Sequence, residues 1–153
     1  MRYWLLKSEP GDYAIDDLAR DRRDWWTGVR NYQARNFMTG DMQVGDGAFF
    51  YHSSCAAPGI YGTACVCAPA AADATQFDAA SKYYDAKATA DKPRWFCVQI
   101  EFESKWARPL LLSDMRQMPP LADLWILRRG CRLSVTPISA AEWRFISGIN
   151  GDS

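Results

Sequence analysis

Residues 94–105, RWFCVQIEFESK, set Trp95, Cys97 and Gln99 against Phe96, Val98, Ile100 and Phe102 in strict alternation. Successive side chains of an extended strand point to opposite faces, so this run predicts a long strand half-buried against a core. Four further segments read as strands. Residues 3–7 (YWLLK) stop at Ser8-Glu9-Pro10, residues 47–53 (GAFFYHS) and 59–68 (GIYGTACVCA) flank the Pro58-Gly59 turn as expected neighbours, and residues 133–137 close the sheet.

Short helices fill the joints. Residues 15–20 (IDDLAR) carry Asp16 and Asp17 where an N-terminal dipole favours them. A second helix runs from Tyr32 to about Met38, capped by Asn31 and stopped near Gly40. Another begins at Ser113 and ends at Pro119-Pro120, with a further one over residues 121–127. The last starts at a capping box, Ser139 to Glu142, followed by Trp143, Ile146 and Ile149 at helical spacing. The Ala- and Asp-rich residues 68–90, with Tyr83-Tyr84, read as a long surface connection with one helical turn. The fold class is therefore α+β: one domain over residues 1–153, with about five to six strands, short helices between them, and a sheet that curls into a barrel.

Composition excludes several functions. Lys plus Arg and Asp plus Glu number 18 each, so no global positive field draws in a polyanion and any nucleic-acid binding must be local. The apolar run after Met1 ends at Lys7, too short for a signal peptide, and nothing approaches a membrane span, which predicts a soluble cytoplasmic protein, nuclear in a eukaryote. Cys55, Cys65, Cys67, Cys97 and Cys131 form no C-x-x-C pair, and His52 is the sole histidine, so reduced thiols are expected and neither metal nor cofactor is predicted. The aromatic share, 14%, exceeds what a small core readily hides, which predicts rings lining a groove or pocket.

Residues 25–36, WWTGVRNYQARN, break both the helical and the strand period by interspersing Gly28, Arg30, Asn31 and Gln33 among rings. Such a mixture of stacking surface and hydrogen-bonding groups suggests a site. Within it, Trp25, Tyr32 and Phe37 are expected to face the core, and Gly28 to Asn31 to form the turn feeding the second helix.

The segments YWLLKSEP, WTGVRNYQARN, FFYHS, PGIYG, SKYYD, PRWF and LRRGCRLSVTPIS, in this order, resemble the EVE domain of the PUA-like superfamily, over nearly the whole chain. The resemblance implies a compact pseudo-barrel whose pocket binds a modified nucleic-acid base, a role shared in outline with YTH and PUA domains. Two positions depart from the pattern. Ala14 stands where a capping Ser is usual, which removes a cap worth ~1 kcal/mol, and Cys131 stands where relatives often carry a polar residue.

Carried onto this chain, the resemblance assigns Lys7, Ser8 and Glu9 to one wall of the pocket, Trp26, Gly28, Val29, Arg30 and Asn31 to another, and His52-Ser53 to the end of a central strand, with Arg94, Trp95, Leu133 and Ser134 completing the set. A flipped base needs a stacking face and polar groups along its Watson–Crick edge. Trp26 supplies the face, while Asn31, Ser8, Ser53 and loop N–H groups at Gly28 meet the edge. Val29 or Leu133 walls the methyl group, and Arg30, Lys7 or Arg94 contacts phosphate. Each residue has a structural alternative: core packing for Trp26 and Trp95, surface pairing with Asp24 or Asp41 for Arg30, a helix cap for Asn31, a hydrogen-bonded ring for His52, and a turn for Glu9.

The expected partner is thus nucleic acid, DNA or RNA, bearing a methylated or hydroxymethylated base, with a nuclease or other effector as a second partner and no membrane. A binding module is favoured over an enzyme. The rival is an amidohydrolase acting on modified nucleosides, as in the related ASCH domains, through Lys7, Ser8 and Glu9; strand alternation argues against it by turning Ser8 away from Lys7 and Glu9. A third reading, a protein-interaction module, requires the aromatic surplus to form a flat patch.

Overall fold

A computed structural model describes residues 1–150. Six strands form one mixed sheet: β1 (Tyr3–Ser8), β2 (Arg23–Trp25), β3 (Gly47–His52), β4 (Gly59–Ala72), β5 (Phe96–Leu111) and β6 (Val135–Ile138), in the order β2-β5-β4-β3-β1-β6. β1 and β3 run parallel, and every other neighbouring pair is antiparallel. Four helices, α1 (Ile15–Asp21), α2 (Tyr32–Asn36), α3 (Leu112–Met115) and α4 (Ala140–Asn150), sit at the joints. The architecture is α+β, as expected.

The middle of the sheet is buried on both faces, which explains why β1 and β3 read as nearly continuous apolar runs. Trp4 and Leu6 on β1 and Ala48 and Phe50 on β3 enter one core with Ile15, Leu18, Val98 and Ile100. Their neighbours Leu5, Phe49 and Tyr51 enter a second core on the opposite face with Trp106, Leu110, Met115 and Ile146. There the Trp143 indole of α4 lies between Phe49 and Tyr3, with centroids 4.1 and 4.5 Å away. The α4 capping box forms as expected, with the Glu142 N–H donating to Ser139 Oγ at 3.0 Å and the Ser139 N–H to Glu142 Oε1 at 2.8 Å.

Several local expectations change. The sheet is not closed: its hydrogen-bonded ladder ends at β2 and β6 without joining them. β5 extends past Lys105 to Leu111, and its pairing with β4 is broken by register shifts. At Gly62 a Cβ would come within 2.2 Å of the Ser104 carbonyl oxygen, so only glycine admits the close approach of these two strands. β2 was not anticipated, and it ends at Trp25, the first residue of the segment read as irregular. α2 ends at Asn36, two residues early, and continues as a π-helical turn, Phe37–Asp41, in which the Met42 N–H reaches back to the Phe37 carbonyl at 2.9 Å. Residues 121–127 form no α-helix; 3-10 turns stand at Pro119–Leu121 and Trp125–Leu127. β6 begins at Val135, two residues later than predicted.

Ala14 leaves α1 without a side-chain cap, and two other groups replace it. Asp17 accepts the Ala14 N–H at 2.8 Å, and His52 Nε2 accepts the Ile15 N–H at 3.1 Å.

Candidate functional site

Where the sheet stops short of closing, a cavity of about 480 Å³ opens, within the size range of small-ligand sites. Both ends of the sheet reach it. β2 contributes Asp24 and Trp25, and the chain entering β6 contributes Ser134. Between them stand Lys7 and Ser8 at the end of β1, the turn holding Glu9, Asp12 and Tyr13, and Ser53 beyond β3.

One wall is polar. The Lys7 N–H donates to the Ser134 carbonyl at 2.8 Å and the Ser53 N–H to the Ser8 carbonyl at 2.9 Å, which locks three chain segments side by side. The Lys7 ammonium and the Ser53 and Ser134 hydroxyls have no partner among the described residues, and the Ser8 hydroxyl has only a 3.4 Å contact with the Glu9 carbonyl. Ser8 shares the cavity with Lys7 and Glu9 after all, because β1 ends at Ser8 and the chain turns.

The opposite wall is aromatic. Trp26 is only 7% exposed and meets Phe50 edge-on at 5.5 Å, so it forms the floor, whereas Trp25 is 38% exposed at the rim. Trp25 therefore faces the cavity and not the core. Val29 is buried and adds apolar lining. Gly28 adopts φ +85°, and a Cβ there would lie 2.7 Å from the Tyr83 ring, so this ring rests directly on the glycine backbone.

A buried carboxylate holds that wall in place. Asp73 accepts from the Gly28 N–H at 2.8 Å, Arg30 Nη1 at 3.1 Å, the Thr75 N–H at 2.8 Å and the Thr75 hydroxyl. Burial alone would raise its pKa, but the donors from Thr75, Gly28 and Arg30 outweigh it and hold the carboxyl below its ordinary range. Arg30 spends all five N–H groups within the chain, on Asp73, Thr75, the Val29 carbonyl and twice on the Tyr83 carbonyl. It lies outside the cavity lining, with no donor left for phosphate.

Four other expected site residues lie off the cavity with partners of their own. Trp95 donates to Asp85 at 2.8 Å and stacks on Tyr32 at 4.8 Å, which leaves Tyr32 exposed on the outer surface instead of in the core. Arg94 contacts the Tyr32 hydroxyl at 2.5 Å and Asp85 at 3.5 Å. Asn31 caps α2 by accepting the Ala34 N–H at 3.1 Å. His52 caps α1 and stacks on Tyr61 at 4.1 Å, and burial lowers its pKa below that of a free imidazole. Leu133 packs in the core, also outside the lining, while Phe37 packs on Trp4 and Trp125 as expected.

Asp12, Tyr13, Asp24, Thr27, Lys82 and Tyr83 line the cavity without having been singled out as site residues. Lys82 pairs with Asp12 at 3.5 Å, linking the turn after β1 to the connection before β5. Burial, with the Asp21 and Asp24 carboxylates beside it, keeps the Tyr13 phenol protonated, and its hydroxyl donates to Asp21 at 2.9 Å. The signal for Lys82 and Tyr83 was present as SKYYD among the segments resembling the family.

The EVE domain family model matches residues 2–149. This chain belongs to the EVE domain family. It is 38% identical to thymocyte nuclear protein 1 of Danio rerio, an alignment covering 97% of this chain and 72% of the relative. Among solved structures, a protein of Pseudomonas syringae is 44% identical with a TM-score of 0.93, covering 97% of this chain and 99% of that one. Human THYN1, solved in complex with 5-methylcytosine-containing DNA, is 32% identical with a TM-score of 0.93, covering 100% and 99%. An ASCH protein of Zymomonas mobilis shares with this EVE domain the fold alone, at 8% identity and a TM-score of 0.55 over 97% and 99%.

Among the described residues, no helix is long and apolar enough to cross a membrane, and no three His, Cys, Asp or Glu side chains group as metal ligands.

Proposed function

We propose that this EVE domain reads a modified base, methylated or hydroxymethylated, in nucleic acid by taking the extruded base into the cavity between β1 and β2. The cavity itself carries the reading: indole surface and Val29 face unpartnered hydroxyls and an ammonium in one concave space. Rings provide stacking, and the free polar groups meet a base edge that has left its pairing partner. The human relative in complex with 5-methylcytosine-containing DNA supports DNA as the polymer. Such a role fits a cytoplasmic or nuclear location.

The test is fluorescence anisotropy with DNA and RNA oligonucleotides carrying cytosine, 5-methylcytosine or 5-hydroxymethylcytosine at one position. The modified base binds more tightly, and Trp25→Ala, at an exposed rim position, removes the difference. Equal binding of modified and plain oligonucleotides overturns the reading. Product release from an acylated nucleoside, lost in Lys7→Ala, would replace it with the hydrolase.

A further inference from the structure

A pocket that recognises only a 5-methyl group cannot work on DNA, because thymine presents a methyl at the same ring position. The two bases differ at the 4-position, where cytosine carries an amino donor and thymine a keto acceptor. Some group in the cavity must read that difference.

The cavity is chemically two-sided. Lys7, Ser53 and Ser134 present donors from the β1 side, while β2, at the far end of the sheet, presents the Asp24 carboxylate. Three carboxylates line the space, and their settings differ. Asp12 is committed to Lys82 at the exposed mouth, and Glu9 stands exposed in the turn after β1. Asp24 is half-buried on a strand, and the Trp25 N–H donates to its Oδ1 at 2.9 Å, which fixes the carboxylate beside the rim indole.

We infer that Asp24 is the specificity-determining residue of the cavity, accepting the exocyclic amino group of a cytosine-type base while the hydroxyl and ammonium side receives its ring nitrogen and 2-keto oxygen. This rests on the reader function proposed above. A thymine in the same pose would turn its 4-keto oxygen toward a carboxylate, leaving two acceptors face to face with no proton between them. The ligand class is therefore a 5-substituted cytosine, and 5-methyluracil is rejected whatever the polymer.

The test places 5-methylcytosine, thymine or 5-methyl-2-pyrimidinone, which lacks the 4-substituent, opposite an abasic site in one duplex, so that extrusion costs are matched. Wild-type protein binds 5-methylcytosine about tenfold or more tightly than either analogue, the discrimination one good base-edge pairing provides. Asp24→Asn keeps the oxygen that accepts the Trp25 N–H but adds an amide donor, and brings the 5-methylcytosine to thymine ratio near unity. Retention of the wild-type ratio by Asp24→Asn, or wild-type binding of 5-methyl-2-pyrimidinone as tight as 5-methylcytosine, overturns the assignment and leaves the reader function standing. Equal wild-type binding of all three bases and an empty abasic control would instead remove the reader function itself.

Discussion

The Arg30 guanidinium and the Gly28 N–H converge on the same oxygen of Asp73, at 3.1 and 2.8 Å, behind the wall on which Tyr83 rests. The Asp73 side chain is fully buried and that of Arg30 is 21% exposed. Removing one partner from such a pair leaves the other charge without compensation, so Asp73→Ala destabilises the fold by about 3–5 kcal/mol, read as a lowered urea midpoint. Because the Asp73 pKa is depressed in the folded state, its contribution is complete above the unfolded value near about 4 and is lost as pH falls through the folded value.

His52 titrates in the opposite chemical sense. Its Nε2 accepts the Ile15 N–H, so the neutral ring caps α1 and protonation removes the acceptor. With the folded pKa lowered by burial, stability is full above the unfolded value near about 6.5 and declines below it by at most about 1.4 kcal/mol per pH unit. Urea midpoints at pH 7.5 and 5.5 measure the decline, which is smaller in His52→Gln.

Gly28→Ala meets two penalties. The positive φ costs about 1–2 kcal/mol in an L-residue, and the new methyl pushes the Tyr83 ring from the cavity wall. Affinity for a modified base falls along with stability, and restoring stability with an osmolyte leaves the affinity low.

The two indoles separate stability from binding. Trp26→Ala empties a buried site and costs about 3–5 kcal/mol in thermal or urea unfolding. Trp25→Ala leaves the unfolding midpoint close to wild type while weakening base binding by about 1–3 kcal/mol.

Binding responds weakly to salt. Lys7 and Lys82 are the cations in the cavity lining, and the chain carries no net charge. The slope of log affinity against log salt stays well short of that for roughly six phosphate contacts; a slope of that size would mean a backbone-dominated interface.

Alternation made β5 legible, whereas β1, β3 and β4 were legible as short apolar, β-rich runs bounded by turn residues. β2 escaped because three residues, Arg23–Trp25, are too few to establish a period, and its pairing with Glu101, Ile100 and Gln99 is non-local. At the site, Lys7, Ser8, Glu9, Trp26, Gly28, Val29, Ser53 and Ser134 do line one cavity, whereas Arg30, Asn31, His52, Arg94, Trp95 and Leu133 stand around it. Residue type cannot tell these groups apart: a guanidinium suited to phosphate is equally suited to a buried carboxylate, and only the fold shows where Arg30 spends its donors. Asp73 was invisible for a related reason. It sits in an Ala-rich run, and its neighbours in space, Gly28 and Arg30, lie more than forty positions away.

A sheet left open for a ligand has two unpaired rims, and unpaired rims invite other chains to add strands. Here the rims are β2, three residues, and β6, four residues. Strands so short offer a newcomer too few hydrogen bonds to template an assembly, so the opening that admits a base is kept without creating a seed for aggregation.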